Sequence, residues 1–487
     1  MKSILQNVKT GEVTMEEIPP PKVRPGFVLV KNVCSLVSAG TEKTVLEFSR
    51  ASYLDKARKR PDLFRKVLNK VKHEGILKTW ESVNNLMEKP LQLGYSSAGI
   101  VMEKGLDVTD IQVGQKVACA GYLYATHSEV VSVPRNLIVP LPDGVSFEEA
   151  SFVTLGAIAM QGIRLAGLEL GEQVVVYGLG LVGMITVQLA IAAGCKVIGV
   201  DIDPKKIEKV REYGALGVPA GEDMAAKILN FTKDCGADKV LLCAATRSNE
   251  PVEKIPEFTR QKGILVVVGE VSLNLPRRLY YDKEIDVRIS RSYGPGRYDM
   301  SYEEGGVDYP YAYVRWTENR NMEAVLDLIA GKKLDFISLI THRFKIEEAG
   351  SAYQLMEGKI NEPYLGIVIQ YKEALAQPEK KISDTVSYHS GFKKKTGNLY
   401  FGVIGAGQFA RALLLPAFHS QKGVVFKKIC TLSGVSAAVA AKKFKASEAT
   451  SSADSVFKDT QIDGLLLATR HDSHARYVMM GLENKMA

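Results

Sequence analysis

Gln173-Val-Val-Val-Tyr177 runs directly into Gly178-Leu-Gly-Leu-Val-Gly183, and the apolar stretch from Leu181 to Ala193 continues from there without a break. A short apolar run, then G-x-G-x-x-G, then a helix-forming segment is the grammar of a dinucleotide-binding strand-to-helix turn. Gly178 permits the tight turn, Gly180 lets main chain approach a pyrophosphate, and Gly183 lets helix and sheet pack closely. Leu181 and Val182 open the helix, whose free N–H groups and dipole then face the phosphates. The motif alone also fits a purely structural turn. It gains meaning from Asp201, which ends the next apolar run, Val197-Ile-Gly-Val-Asp201, 18 residues beyond Gly183. A carboxylate there accepts both ribose hydroxyls and repels a 2′-phosphate, so NAD(H) is expected over NADP(H).

Outward from this turn, residues 151–290 alternate apolar strands with amphipathic helices. Lys196-Val-Ile-Gly-Val200, Lys239-Val-Leu-Leu-Cys243 and Ile264-Leu-Val-Val-Val268 are strands of this kind. Apolar-throughout strands separated by helices predict a parallel sheet covered on both faces, so the fold class is α/β with a doubly wound sheet. Residues 1–150 instead read as short strands punctuated by Gly and Pro, a small β-barrel-like domain. Into it is set a segment at 43–90 with helical spacing (Leu54, Ala57, Leu63, Val67, Val71) and a break at Arg60-Pro61. Residues 291–372 close with a helix at Ile346–Met356 and a strand at Gly366–Gln370. A polar, lysine-rich stretch at 373–398 reads as a linker, and 399–487 begins a second strand–turn–helix.

With 487 residues, two or three domains are expected. No stretch is long and apolar enough for a membrane span, and the N-terminus lacks the apolar block of an export signal. The six cysteines (34, 119, 195, 235, 243 and 430) stand singly, without C-x-x-C. Buried free thiols in a reducing, cytoplasmic setting are the expectation. Of the formal charge of +8, a net +6 lies between Lys43 and Lys89, where 12 Lys and Arg face 6 Asp and Glu. That segment has no interleaved aromatics and no recognition motif, so it reads as a solvated helical face. Neither nucleic acid nor membrane is an expected partner; a small molecule is, in a homo-oligomeric protein.

Val113-Gly-Gln-Lys-Val117, Ser128-Glu-Val-Val-Ser-Val-Pro134, Ile138-Val-Pro-Leu-Pro-Asp143 and Ile340-Thr-His-Arg-Phe344 flank the glycine turn in a familiar order. On these landmarks residues 1–372 resemble a medium-chain dehydrogenase/reductase. That resemblance implies a GroES-like domain (1–150, resumed at 291–372) around a Rossmann domain (151–290), and hydride transfer with a nicotinamide cofactor. Zinc-dependent members place cysteine in a C-G-x-D segment and histidine in a G-H-E segment. Here the first reads Val37-Ser-Ala-Gly-Thr-Glu42, with Ser38 nearest the cysteine's place. The second reads Leu93-Gly-Tyr-Ser-Ser-Ala-Gly99, with Tyr95 where the histidine belongs. The third ligand region, Phe152-Val-Thr-Leu-Gly156, offers no Cys, Asp or Glu, and the four-cysteine structural loop is missing. No zinc is therefore expected. Tyr95 becomes the candidate acid/base, or else a packed tyrosine, with Ser38, Thr41 and Glu42 lining the same cleft; Glu42 alternatively anchors the inserted segment.

Two further segments carry candidates. Ser290-Arg-Ser-Tyr-Gly-Pro-Gly-Arg-Tyr-Asp299 and Tyr309-Pro-Tyr-Ala-Tyr-Val-Arg-Trp-Thr317 suit a loop that holds a hydroxylated, even anionic, sugar through Tyr293, Arg297 and Arg315. An interdomain or subunit contact is the alternative. Tyr400-Phe-Gly-Val-Ile-Gly-Ala-Gly-Gln-Phe-Ala410 is a second glycine-rich turn, with Gly405, Gly407 and Ala410 in the three small-residue roles. With Ala468-Thr-Arg-His-Asp-Ser-His-Ala475, it resembles the N-terminal half of a Gfo/Idh/MocA-type (glucose–fructose oxidoreductase/inositol dehydrogenase) Rossmann domain. The resemblance implies cofactor contact by Thr469 and His474; a surface histidine pair is the alternative. The run Lys428-Ile-Cys-Thr-Leu-Ser433 lacks the ribose carboxylate, and the family's E-K-P segment is absent from 399–487, so this half is expected to be a partial, catalytically incompetent copy. The fusion resembles bacterial bi-domain oxidoreductases. The leading expectation is a zinc-independent NAD(H) oxidoreductase acting on a hydroxyl/carbonyl pair of a sugar or sugar-nucleotide. An enone- or quinone-type reductase and a non-catalytic dinucleotide sensor stay open beside it.

Overall fold

The computed structural model of the chain describes residues 1–50, 90–372, 382–388, 394–484 and 486. Strand β1 (Lys2–Gln6) pairs antiparallel with β2 (Val13–Glu17) on one side. The barrel-like sheet begins with β3 (Phe27–Val37), an 11-residue strand buried along its whole length. Helix α1 (Ala39–Arg50) follows it, and the rest of the helical reading at 43–90 lies outside the described residues. The chain re-emerges in β4 (Leu91–Gln92), which covers the other side of β1. It then lays down β5 (Ser96–Lys104), β6 (Lys116–Ala120), β7 (Val130–Pro134) and β8 (Ile138–Pro140).

Helix α2 (Val153–Ala166), closed by Gly167 in the left-handed conformation, leads into the second layer system. Here β9 (Gln173–Tyr177), β10 (Lys196–Asp201), β11 (Leu216–Pro219), β12 (Ala237–Leu242), β13 (Thr259–Val267) and β14 (Asp286–Ile289) form one parallel sheet, with helix α3 (Leu181–Ala192) crossing from β9 to β10. Its order is β11-β10-β9-β12-β13-β14, so connections reverse direction between β9 and β12. In open α/β sheets that switch point is where a ligand crevice opens at the carboxyl ends of the strands. Helix α3 is apolar all round because it is buried, with Gly183, Met184, Ile185, Val187, Leu189 and Ala190 enclosed.

After helix α4 (Glu318–Ala330), β15 (Ile340–Lys345) and β16 (Gly366–Gln370) rejoin the first sheet, whose order becomes β15-β16-β3-β5-β6-β8 with β7 also on β3. Sequence-distant segments thus make one layer: Ile367 lies opposite Val37, and Val28 opposite Lys104.

The stretch read as a linker at 373–398 is not one throughout. Asp384-Thr-Val-Ser-Tyr388 contributes β17 (Thr385–Ser387), antiparallel to an edge of the second parallel sheet. Thr and Val favour the extended chain, and the partner strand offers unpaired main-chain groups, so pairing prevails over local polarity. That sheet comprises β18 (Leu399–Ile404), β19 (Val424–Cys430), β20 (Glu448–Thr450) and β21 (Gly464–Leu467), in the order β17-β20-β19-β18-β21. Helices α5 (Gly434–Lys443) and α6 (His471–Glu483) belong to the same unit. A small apolar cluster of Leu5, Ile18, Val435 and Ala438, with a Lys442–Glu16 ion pair at 2.5 Å, joins this unit to β1 and β2. The free-thiol expectation meets two exceptions to burial: all six cysteines are unpaired, but Cys243 is half-buried and Cys235 is exposed.

Candidate active site

The two outer glycines of the first turn are held by geometry that only glycine satisfies. Gly178 sits at φ +96°, and a Cβ on it would meet the Ala244 amide nitrogen at 2.5 Å, so main chain fills the switch point. A Cβ on Gly183 would collide with the Gly178 carbonyl oxygen, whereas one on Gly180 would meet nothing within 4 Å. Gly180 is thus the point where the turn faces open space, and Leu181 and Val182 follow as the first helical residues. An anionic pyrophosphate fits this cradle: close main-chain approach at Gly180, then a helix N-terminus. Asp201 stands at the end of β10, 9% exposed. It accepts Leu179 N–H at 2.6 Å and Asp203 N–H at 2.9 Å, which fix its carboxylate beside the turn.

On the barrel side, Ser38 follows β3 and Tyr95 precedes β5, so neighbouring strands bring the two together across 57 positions of sequence. The Tyr95 hydroxyl donates to Ser38 Oγ at 2.6 Å, with Thr41 Oγ1 at 3.4 Å. Burial raises the Tyr95 phenol above its ordinary value; the Ser38 and Thr41 bonds oppose this, and the nearby Glu42 charge adds to it. The phenol therefore stays protonated, as a proton donor must. Helix α2 ties this group to the crevice. Thr154 Oγ1 at its first turn donates to the Tyr95 carbonyl at 3.1 Å. Further along, Gly162 packs so closely on Val268 and Leu241 that a Cβ would meet Val268 at 2.8 Å.

Glu42 does not line the cleft as expected. It is 3% exposed and accepts Ser38 N–H at 2.9 Å, His127 Nε2–H at 3.3 Å and the Tyr353 hydroxyl at 2.5 Å. His127 Nδ1 lies 2.7 Å from Ser35 Oγ, which meets the Tyr371 hydroxyl at 2.8 Å. This fully enclosed network stands behind Ser38 and Tyr95. His127 and Tyr353 escaped sequence reasoning, because one lies in a run of small polar residues and the other on a helix with ordinary amphipathic spacing.

The donor set does not match a zinc centre. Ser38, Tyr95 and Thr154 present hydroxyls that are bonded to their neighbours, and Glu42 already receives three hydrogen bonds. Among the described residues no group of three or more His, Cys, Asp or Glu is arranged to hold a metal ion. Cys34, four residues before Ser38, has its thiol pushed up to about 12 by burial, which disfavours the thiolate that metals bind.

The aromatic loop also departs from expectation. Arg297 does not present its fork outward: it pairs with Glu303 at 2.5 Å, both nearly buried, and stacks on Tyr298. Tyr293 is 2% exposed, and its hydroxyl finds no hydrogen-bond partner among the described residues; neither do both carboxylate oxygens of Glu318 and Asn321 Oδ1 beside it. Desolvation, helped by Glu303 and opposed by Arg297, pushes Glu318 up to about 9. Arg315 is exposed and lies over Trp316 at 3.8 Å, with Arg164 over the same ring at 3.4 Å. Of the three residues, only Arg315 has a side chain free to meet a ligand from solvent.

In the second turn Gly405 has φ +96°, and a Cβ on Gly407 would meet nothing within 4 Å, while Ala410 is buried. His474 Nε2 bonds the Thr469 carbonyl at 2.8 Å, so these two residues fix each other after β21. The second turn repeats the cradle of the first.

Two nucleotide-binding folds, one embedded in a barrel-like domain, give the chain the architecture of a bi-domain oxidoreductase, its larger part similar to medium-chain dehydrogenases/reductases. Residues 182–304 match the family described as zinc-binding dehydrogenase, and residues 399–487 match the oxidoreductase family with NAD-binding Rossmann fold. Sorbitol dehydrogenase 1 of Saccharomyces cerevisiae is 27% identical over 306 residues, covering 55% of this chain and 78% of the relative. D-guloside 3-dehydrogenase of Escherichia coli is 36% identical over 154 residues, covering 31% of this chain and 43% of that one. Among solved structures, galactitol-1-phosphate dehydrogenase from Escherichia coli superposes with a TM-score of 0.58 at 18% identity, over 76% of this chain and all of that one. No helix among the described residues is long and apolar enough to cross a membrane.

Proposed function

We propose that this chain interconverts a hydroxyl and a carbonyl of a sugar or polyol with NAD(H), without zinc, and with Tyr95 as the proton donor and acceptor. The carrying observation is the buried Tyr95–Ser38 hydrogen bond at 2.6 Å, between two positions that the medium-chain dehydrogenase resemblance assigns to zinc ligands. When bound, the nicotinamide takes or gives the hydride. In the reducing direction the Tyr95 O–H donates to the developing alkoxide, the work a Lewis acid would otherwise share. Ser38 Oγ accepts from Tyr95 beforehand and aims the phenol; Glu42, fixed by His127 and Tyr353, holds Ser38 through its main-chain N–H. In oxidation the same phenol must be reached as phenolate, so burial favours reduction at neutral pH. Asp201 supports NAD(H) over NADP(H), because its fixed carboxylate suits ribose hydroxyls and repels a 2′-phosphate.

Sugar or polyol as the substrate class rests on the sorbitol and guloside relatives. A small-molecule partner is supported by the same relatives, and the exposed Arg315 is the loop residue free to meet it. A homo-oligomer is supported by β14, an edge strand flanked by exposed Ile289, Tyr281 and Leu279, and a cytoplasmic setting by six unpaired thiols. The test is a reductase assay on ketoses and polyol dehydrogenation with NAD⁺, run with and without a zinc chelator. Turnover that survives chelation and falls at least a hundredfold in Tyr95→Phe, with NADH affinity unchanged, supports the reading. Turnover abolished by chelation and restored by added zinc overturns it, as does enone reduction with NADPH in place of carbonyl reduction.

A further inference from the structure

The second glycine-rich turn has its cradle but not its ribose carboxylate. Strand β19 ends in Cys430, and the following Thr431, Leu432 and Ser433 bring no acid; Thr431 Oγ1 is spent on the Ser433 carbonyl at 2.5 Å. What stands at that end comes from elsewhere in the chain. The main-chain N–H of Lys22 donates to the Leu432 carbonyl at 3.1 Å, and the Pro19 carbonyl packs so tightly on Gly434 that a Cβ there would collide with it. The segment after β2 therefore lies along the loop that follows β19. Asp384, just before β17, is fixed at the end of the neighbouring β20. Its carbonyl accepts Ser451 N–H and Thr450 Oγ1–H, each at 3.0 Å. Lys22 Nζ meets Asp384 Oδ2 at 2.7 Å, with the two side chains 35% and 39% exposed. This pair thus bridges the carboxyl ends of β19 and β20, where the adenosine ribose of a dinucleotide lies when its pyrophosphate sits on the turn after the first strand. Both charges are felt by the Cys430 thiol at the end of β19.

We propose that the second unit binds NAD(H) in a composite crevice whose ribose carboxylate is Asp384, held in place by Lys22 of the first unit. The proposal rests on reading Gly405–Ala410 as a dinucleotide turn, and is independent of the chemistry assigned to Tyr95. The parallel with the first crevice is physical. Asp201 is fixed by two main-chain N–H groups and Asp384 by one ammonium, and each sets a carboxylate at a sheet's carboxyl edge. An ion pair this exposed contributes little by itself, so Lys22 can yield part of its hold when ribose hydroxyls arrive. With Asp384 removed, the same lysine faces the ribose unopposed and attracts a 2′-phosphate.

The experiment is calorimetric titration of the full chain with NADH and with NADPH. Gly180→Val fills the open point of the first turn and leaves only the second crevice to read. The expected results are two equivalents of NADH for the unaltered chain and one for Gly180→Val. In the Gly180→Val background, Asp384→Ala should weaken NADH by about tenfold, the scale of one charge-assisted hydrogen bond, and move preference toward NADPH. Adding Lys22→Ala should cancel that NADPH gain. The main-chain bonds of residue 384 persist in these variants, and Asp384→Asn, which keeps the side chain's shape, should weaken NADH in the same direction. A Gly180→Val chain that binds neither dinucleotide, or an Asp384→Ala affinity within twofold of its parent, overturns the proposal. A first crevice that does not bind would show separately, as a stoichiometry unchanged by Gly180→Val.

Discussion

Glu318→Gln should make the protein more stable, and by an amount that grows with pH. Glu318 is the first residue of α4, wholly buried, with its carboxyl pushed up to about 9 from the ordinary 4.5. The folded protein thus keeps this proton to much higher pH than the unfolded chain does. The contribution is complete below pH 4.5, and it is lost progressively as pH rises toward 9, because the unfolded carboxyl ionises freely and the buried one does not. Each pH unit within that window costs about 1.4 kcal/mol, so going from pH 6 to pH 8 should cost the native chain about 2.7 kcal/mol through this residue. Glutamine has the same shape and no such titration. The assay is urea unfolding followed by Trp316 fluorescence in a Trp80→Phe background, since the chain has two tryptophans and Trp316 lies two residues from the site. The stability difference between Glu318→Gln and its parent should rise steadily between pH 5.5 and 8.5. A difference constant over that range would refute the reasoning, because only differential proton binding creates the slope.

Other substitutions test the crevice and its loop. Gly180→Ala should leave thermal stability unchanged and weaken NADH, while Gly183→Ala should lower the melting temperature, since its Cβ would collide with the Gly178 carbonyl; equal behaviour of the two in a melting series would contradict the assigned roles. Arg297→Ala should destabilise by about 3 kcal/mol, the cost of leaving Glu303 buried and unpaired, whereas Arg315→Ala should act on substrate KM; denaturation curves and steady-state kinetics separate them. Tyr95→Phe should remove at least two orders of magnitude from kcat with little change in NADH affinity, measured by fluorescence titration. With the phenol raised by burial, the reductive kcat should not fall as pH climbs from 7 to 9 on account of Tyr95; a fall that Tyr95→Phe abolishes would contradict the raised value.

Sequence legibility followed the distance over which each feature is built. The turn at Gly178–Gly183 and its partner Asp201 lie within one strand–helix–strand unit, and local pattern sufficed to find them. Ser38, Thr41 and Tyr95 were found through neighbouring landmarks, and adjacent strands bring them together. The groups that hold them were not legible: His127 and Tyr353 reach Glu42 from 85 and 311 positions away, and no local spacing encodes that meeting. Arg297 shows the opposite failure. Its composition-rich loop suggested ligand binding, yet a glutamate six residues on takes the guanidinium. The strand at Thr385–Ser387 was hidden for a related reason: three residues in a polar stretch declare themselves only when a sheet edge is there to receive them.

The cluster of Leu5, Ile18, Val435 and Ala438 makes α5 a helix with two apolar flanks, one on its own sheet and one on the neighbouring unit. A tether between two such surfaces raises their effective concentration to about the millimolar range, so even a modest contact keeps them docked. The two nucleotide folds then behave as one hydrodynamic particle. Proteolysis between residues 373 and 398 would remove that effective concentration, and the fragments would stay together only above the dissociation constant of that small face.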